Sequence, residues 1–188
     1  MKELRTIVSP WALAAVGTIG LCACSGEEPS PLQDASAKAS NAPTTAEDDP
    51  YAGSDSRFGT VDLYAGFSPD PRSVIGTAQG RVEASTIRKR CKGWITEKPD
   101  YVLDAKSAFF LLHVLVRSRR DTTLVVRKPS GAVLCNDNRK GTKNPMVRSS
   151  FPIGSTQIWI GVQNKGDTAP YRLGFSEVKW KSSSLPVL

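Results

Sequence analysis

The chain has 188 residues, a formal net charge of +7, 39% hydrophobic residues, four cysteines and a single histidine. That length fits one domain plus a tether rather than several domains. With one histidine and only two cysteines beyond the N-terminal segment, a closed four-ligand zinc shell cannot be completed without carboxylates.

In chain order, residues 1–5 carry Lys2 and Arg5, and an apolar run follows from Ile7 to Leu21. The run has about the length of a secretory signal's hydrophobic region and falls short of the ~20 residues that spanning a bilayer requires. It ends in Leu21-Cys22-Ala23-Cys24. A branched apolar residue, two small residues and then cysteine is the pattern that lipoprotein processing reads. The thiol of Cys24 takes a diacylglycerol, the small residues let the peptidase approach the backbone, and cleavage leaves Cys24 at the new N-terminus. Residues 1–23 are therefore expected to be a cleaved signal, with Cys24 as the lipid attachment site. Two or more acyl chains anchor stably where one is marginal, so the mature chain is expected on a membrane of the cell envelope. Ser25 rather than Asp after the lipidated cysteine points to the outer membrane, on its periplasmic or its surface face.

Residues 24–57 are rich in Ala, Ser, Pro, Thr and acids, with seven acidic residues against two basic ones. So little apolar surface cannot offset the entropy of ordering, and the segment reads as a disordered acidic tether. From residue 58 onward the balance reverses, with 21 basic residues against ten acidic ones. The bases cluster in Arg88-Lys89-Arg90-Cys91-Lys92, Arg117-Ser118-Arg119-Arg120, Arg127-Lys128 and Arg139-Lys140. Such a surface attracts polyanions in a salt-dependent way, although a solubilising face would also explain it. Nucleic acid is not expected in an exported compartment, and no base-stacking pattern accompanies the charge. Export also favours a disulfide between the two remaining cysteines, Cys91 and Cys135.

The folded part reads as short strands with turn punctuation. Residues 60–65 alternate, and Pro69-Asp70-Pro71 breaks the chain. The strongest strand is 108–117. Residues 122–128 and 132–135 form a hairpin around Pro129-Ser130-Gly131. Strands at 146–151, 156–162 and 171–178 come next, giving seven or eight in all and no convincing helix. This is the signature of an all-β, antiparallel, jelly-roll-like sandwich spanning residues 58–180, with 181–188 as a C-terminal tail. Alternation assigns Phe110, Leu112, Val114, Val116, Leu124, Val126, Ile158, Ile160, Val162, Tyr171, Leu173 and Phe175 to the core.

Several motifs occur in a fixed order. They are Gly66-Phe67-Ser68-Pro69-Asp70-Pro71, Cys91-Lys92-Gly93-Trp94-Ile95 with Pro99-Asp100-Tyr101, and Asp121-Thr122-Thr123-Leu124 with Pro129-Ser130-Gly131. Next come Cys135-Asn136-Asp137, Gly141, Asn144-Pro145, Ile158-Trp159-Ile160-Gly161-Val162 and Tyr171-Arg172-Leu173. This succession, over residues 58–178, resembles the bacterial pre-peptidase C-terminal domain. The resemblance implies a small β-sandwich of the kind that accompanies peptidases and other exported enzymes, some members of which bind substrate or calcium.

The residues support a binding module better than a catalyst. His113 lies within a strand, beside Leu111 and Leu115 and opposite the core positions. Asp70, Asp100 and Asp121 stand at turns, where capping explains them. The ligand-binding candidates are Trp159, Arg117, Arg119 and Arg120. Trp159 falls opposite Ile158 and Ile160, so it is either exposed or covered by a loop, the latter being favoured. Trp94, close to Cys91, is expected to pack on the disulfide, and Trp180 to close one end of the sandwich. Asp121, Asn136, Asp137 and Asn138 are the candidate calcium ligands, set against turn chemistry and the repulsion of Arg139 and Lys140. The expected partners are the membrane through the N-terminal lipid, envelope polysaccharide or lipopolysaccharide, and another protein. A role assisting a separate secreted peptidase is the alternative.

Overall fold

The structure is a computed structural model, and it describes residues 55–139, 141–178 and 185–188. The expected signal segment, Cys24, nearly all of the expected acidic tether, Lys140 and Trp180 lie outside the described residues. No helix among the described residues is long and apolar enough to cross a membrane.

Among the described residues eleven strands form two sheets. They are β1 Thr60–Leu63, β2 Arg72–Gln79, β3 Val82–Glu83, β4 Trp94–Ile95, β5 Tyr101–Ala105, β6 Phe109–Ser118, β7 Thr122–Arg127, β8 Val133–Asn136, β9 Met146–Phe151, β10 Gly154–Val162 and β11 Thr168–Ser176. A 3₁₀ turn, Ala84–Thr86, succeeds β3. The smaller sheet runs β2-β11-β6-β9. In the larger sheet β10 is central, pairing with β5 on one side and with β7 on the other, and β7 pairs with β8. β1 adds to β5 in parallel, while β4 meets β10 at Val162 and carries β3. At the sheet edges, β1 and β2 lie on one flank of the sandwich, and β8 and β9 on the other.

The inward faces bury one continuous core. Val61, Leu103, Leu124, Val126, Ile158, Ile160 and Val162 of the larger sheet meet Leu112, Val114, Val116, Val147, Tyr171, Leu173 and Phe175 of the smaller. Period-2 alternation predicts all of those on β7, β10 and β11. It fails at one place on β6. The register against β9 shifts between Phe109 and Leu112, a bulge, so Phe109 turns inward and is buried while Phe110, expected in the core, is 95% exposed. A bulge re-aims a side chain by adding one residue to one strand, and that is invisible to counting by twos.

β2 and β5 are not marked by alternation either. β2 forms through eight consecutive partners on β11, with Ile75 left 55% exposed. β5 is flanked on both sides, by β1 and β10, and is buried at four of its five positions. Its pattern is therefore a continuous run and not an alternation. β4 can lie across β10 because position 161 is glycine. A Cβ there would stand 2.2 Å from the Trp94 carbonyl oxygen and 2.8 Å from Ile95.

The outer faces are partly covered as well. Leu185 is buried, and its methyls occupy the space that a Cβ on Gly174 would need, beside Leu115. Leu185 thus docks on the smaller sheet. Arg172 Nε donates to the Pro186 carbonyl at 3.3 Å, which fixes that docking.

The bulge makes a sharp stability contrast. Phe109→Ala is expected to cost about 3–5 kcal/mol in urea unfolding, and Phe110→Ser no more than ~0.5 kcal/mol. Equal losses would contradict the bulged register.

Candidate functional site: an arginine groove beside the disulfide

Cys91 and Cys135 form a disulfide, with Cα atoms 5.5 Å apart. It ties the loop between β3 and β4 to β8, on the outer face of the larger sheet. Beneath that loop lies a second apolar cluster of Ala84, Cys91, Ile95, Val125 and Trp159, with Val82, Ile87, Val133 and Cys135 packed around it. Trp159 is fully buried here. It therefore cannot present its face to a ligand, and the assignment of Trp159 as a ligand-binding residue is corrected. The indole that packs with the disulfide's cluster is also Trp159 and not Trp94. Trp94 packs against the main core, with the Lys165 ammonium 4.9 Å from its ring centroid.

The same loop positions the charge. Cys91 N donates to the Arg88 carbonyl at 2.8 Å, and Arg88 Nη1 donates to the Val133 carbonyl of β8. Arg88 and Arg90 then line a groove of about 340 Å³, together with Leu134, Cys135 and Asn136 of β8 and Met146, Val147 and Arg148 of β9. The groove runs between two strands that each pair on one side only, β8 with β7 and β9 with β6. Met146 N donates to Asn136 Oδ1 at 3.3 Å and bridges the two edges. Arg139 sits at the rim, its Nη1 3.9 Å from Met146 Sδ. No Asp or Glu is among the described residues that line the groove. Asp137 is nearby but is paired with Lys92 at 3.7 Å.

Three guanidiniums around one cleft suit an anionic group with several oxygens. Each offers up to five donors in a fixed fork that matches a carboxylate or sulfate bidentately. The volume lies at the small end of ligand clefts. A larger cleft, about 440 Å³, is lined by Gln79, Arg81, Ile95, Glu97, Asp167 and Thr168 among others. It mixes charges of both signs and concentrates neither, so the smaller groove is the candidate.

The other predicted residues fall elsewhere. Arg117 lies on β6, in register with Arg172 of β11. Arg119 and Arg120 are exposed in the β6–β7 turn. None of the three lines the groove. Of the calcium candidates, the antiparallel pairing of Leu124 with Asn136 puts Asp121 at the same end of the hairpin as Asn136 and Asp137, while Asn136 Oδ1 accepts from Met146 N and Asp137 pairs with Lys92. Among the described residues no three of His, Cys, Asp and Glu group as metal ligands. His113 is buried, with Nδ1 3.2 Å from the Ser176 carbonyl oxygen.

The sequence places Asp100 at a turn as a cap, whereas it is fully buried. Its Oδ1 accepts from Arg57 Nη1 at 2.5 Å and its Oδ2 from Ile160 N at 2.7 Å. Burial raises its pKa from the usual 3.8 to about 7, opposed by the Ile160 N–H and the Arg57 charge. Burial and the Asp100 charge also push the Tyr171 hydroxyl upward. A perturbed carboxylate is a functional signal in a cleft. Asp100 lines neither cleft, and its pairing is structural.

No family model matches the chain, and no curated protein matches it. Among solved structures the chain is similar to the pre-peptidase C-terminal domain of a collagenase from Bacillus anthracis, at 11% identity and a TM-score of 0.42, covering 65% of this chain and 97% of that one. It is also similar to PliG of Aeromonas hydrophila, a periplasmic lysozyme inhibitor of g-type lysozyme, at 14% identity and a TM-score of 0.35, covering 63% of this chain and 96% of that one. The first bears the name of the family that the sequence resembles. The sandwich is defined by the chain's own two sheets.

The disulfide and the buried carboxylate can each be tested in solution. Replacing Cys91 and Cys135 together by Ser is expected to lower stability by about 2–4 kcal/mol and to red-shift the tryptophan emission as Trp159 loses its cover; an unchanged spectrum would contradict the role given to the loop. The folded state holds the Asp100 proton more tightly than the unfolded chain does. This group's stabilising contribution is therefore complete below about pH 4 and is lost as pH rises towards about 7. The unfolding free energy of the wild type minus that of Asp100→Asn should accordingly fall across that interval in urea titrations, and a rising difference would reverse the assignment.

Proposed function

We propose that this chain is a non-enzymatic binding module of the bacterial cell envelope, tethered to a membrane by lipid on Cys24, and that its Arg88–Arg90–Arg148 groove holds an acidic polysaccharide. One observation carries the reading. Three arginines brought from a disulfide-held loop and from β9 converge on a cleft with no acidic lining among its described residues. The domain around them, from residue 58 on, carries 21 basic residues against ten acidic ones. A focused positive potential of this kind raises the local concentration of polyanions and speeds their capture.

An extended acidic glycan fits better than a compact ligand. The groove is open along two strand edges, so a chain can run through it while one acidic unit sits among the guanidiniums. The anchor and the outer-membrane location belong to the same proposal. They are supported by the Leu21-Cys22-Ala23-Cys24 pattern and by Ser25.

The test is retention of the full chain, in mild detergent, on an immobilised acidic polysaccharide such as polygalacturonate. Retention is expected at about 50 mM salt and release by about 0.5 M, since surface charge pairs are screened over a Debye length. Arg88→Gln, Arg90→Gln and Arg148→Gln combined should weaken binding about tenfold, at roughly 0.5 kcal/mol per exposed pair. The control triple Arg117→Gln, Arg119→Gln and Arg120→Gln removes the same charge and should cost less. Equal losses from the two triples would show general charge attraction in place of a groove.

A further inference from the structure

We infer that the larger cleft, beside the turn that joins β2 to β3, is a second binding site and that it takes a zwitterion, a short peptide with a free ammonium and a free carboxylate. It shares no lining residue with the arginine groove.

The walls are built from three separate segments. The β2–β3 turn supplies Gly80 and Arg81, the end of β4 supplies Ile95 and the Thr96 and Glu97 that follow it, and the β10–β11 turn supplies Asp167 ahead of Thr168. Main-chain bonds tie them together. Arg81 N donates to the Ile95 carbonyl at 3.0 Å, and Gly166 N to the Gly80 carbonyl at 3.4 Å. Thr168 is in register with Gln79. Gly80 is buried, and a Cβ there would stand 2.2 Å from the Trp94 carbonyl carbon, so the turn lies directly on β4. Ile95 gives the cleft an apolar floor, and it is buried in the cluster beneath the disulfide-held loop. Walls fixed in this way spare a ligand the cost of ordering them. The volume, about 440 Å³, lies within the range of small-molecule clefts.

The charge of the cleft runs against that of the domain. Its lining holds one basic residue, Arg81, against two acidic ones, Glu97 and Asp167. Residues 58–188 as a whole hold 21 basic residues against ten acidic ones. The lysines nearest these acids in sequence are engaged elsewhere. Lys98 Nζ pairs with Asp55 at 2.9 Å, and the Lys165 ammonium stands 4.9 Å from the Trp94 ring centroid. Asp167 Oδ2 accepts from Asn164 Nδ2 at 3.2 Å, a neutral donor that orients the carboxylate without cancelling its charge. Among the described residues none of Arg81, Glu97 and Asp167 has an ion-pair partner. Charges of both signs therefore line one cleft and are left for a ligand to satisfy.

A ligand of one sign meets repulsion here. An anion faces Glu97 and Asp167, and a cation faces Arg81. A molecule with an end of each sign satisfies all three. The guanidinium fork matches a carboxylate bidentately. An ammonium has three donors and no acceptor, enough for two carboxylates. Between the ends, the Ile95 floor suits an aliphatic side chain, and the hydroxyls of Thr96 and Thr168 can serve the peptide's own polar groups. An acidic glycan lacks the ammonium, so the two sites select different ligands.

The test uses the full chain in mild detergent and the tripeptide alanyl-leucyl-alanine in three forms: free, N-acetylated and C-amidated. By titration calorimetry the free form is expected to bind with a Kd of about 1 mM, and blocking either end should weaken binding about threefold or more. Arg81→Gln should make the free and amidated forms bind alike. Glu97→Gln with Asp167→Asn should make the free and acetylated forms bind alike, as coupling in a double-mutant cycle requires. These three side chains are exposed, and the comparison of the three forms on the unaltered chain needs no variant at all. No binding of the free form up to about 10 mM overturns the inference. So does equal binding of all three forms, or tighter binding of the amidated form, which would show a plain cation site. Changing Arg88, Arg90 and Arg148 to Gln should leave tripeptide binding unchanged; its loss would put the ligand in the arginine groove and refute the second site. If polygalacturonate is not retained while the tripeptide binds as described, the glycan reading falls and this inference stands.

Discussion

One covalent constraint organises the functional half of this molecule. The disulfide between Cys91 and Cys135 holds the β3–β4 loop on the outer face of the larger sheet. Without a cover, Val125 and Trp159 would face water, yet both are fully buried. The same link fixes where Arg88 and Arg90 stand, because the loop that buries Trp159 carries them along its other side. Packing and charge presentation are therefore two faces of one loop. A chain of about 130 folded residues has room for one main core, and this second, smaller cluster supplies the rigidity that a surface loop otherwise lacks.

The opposite flank depends on a different device. Asp100 is a fully buried carboxylate that accepts from Arg57 and from Ile160 N, while its backbone accepts from Phe58 N and donates to the Ile158 carbonyl. Removing such a group from water costs several kcal/mol, and the ion pair with its added hydrogen bond offsets only part of that, as the upward pKa shows. What the arrangement supplies is geometric. It gives the entering chain, β5, β10 and, through the bond of Arg57 to the Thr77 carbonyl, β2 a single relative placement. The Tyr171 hydroxyl packs where a Cβ on Gly76, its partner across the β2–β11 pairing, would stand, 2.5 Å away, so glycine at position 76 makes room for the phenol beside this cluster.

The sequence is most informative where a rule is local. The sandwich class, the hairpin at Pro129-Ser130-Gly131, the pairing of the cysteines and the inward sets on β7, β10 and β11 all come from alternation, turn residues or compartment. It is least informative where the decisive contact is distant in the chain. Phe110 is displaced by a bulge that only the β9 register reveals. Leu185 docks on Gly174 from beyond the last strand. The groove itself is half legible. Arg88 and Arg90 belong to an evident basic run, but Arg148 stands alone in its strand, and nothing near it marks it as their partner. Arg117, Arg119 and Arg120 form the more conspicuous cluster and yet line no part of the groove. Asp100 escapes for the same reason, since a turn aspartate and a buried one look alike until Ile160 and Arg57 are placed around it.

The placement of entry and groove on opposite flanks has a mechanical consequence. Were the domain held at its β1/β2 side and pulled at its β8/β9 side, tension would run across its strands, in line with the ladder hydrogen bonds and not along the strand axes. The two features that terminate this load path are the Arg57–Asp100 pair at the held side and the Cys91–Cys135 bond at the loaded side. One is ionic and reversible, the other covalent. Force applied through a bound polymer would therefore first strain the entry point, leaving the covalently braced groove as the last part to yield.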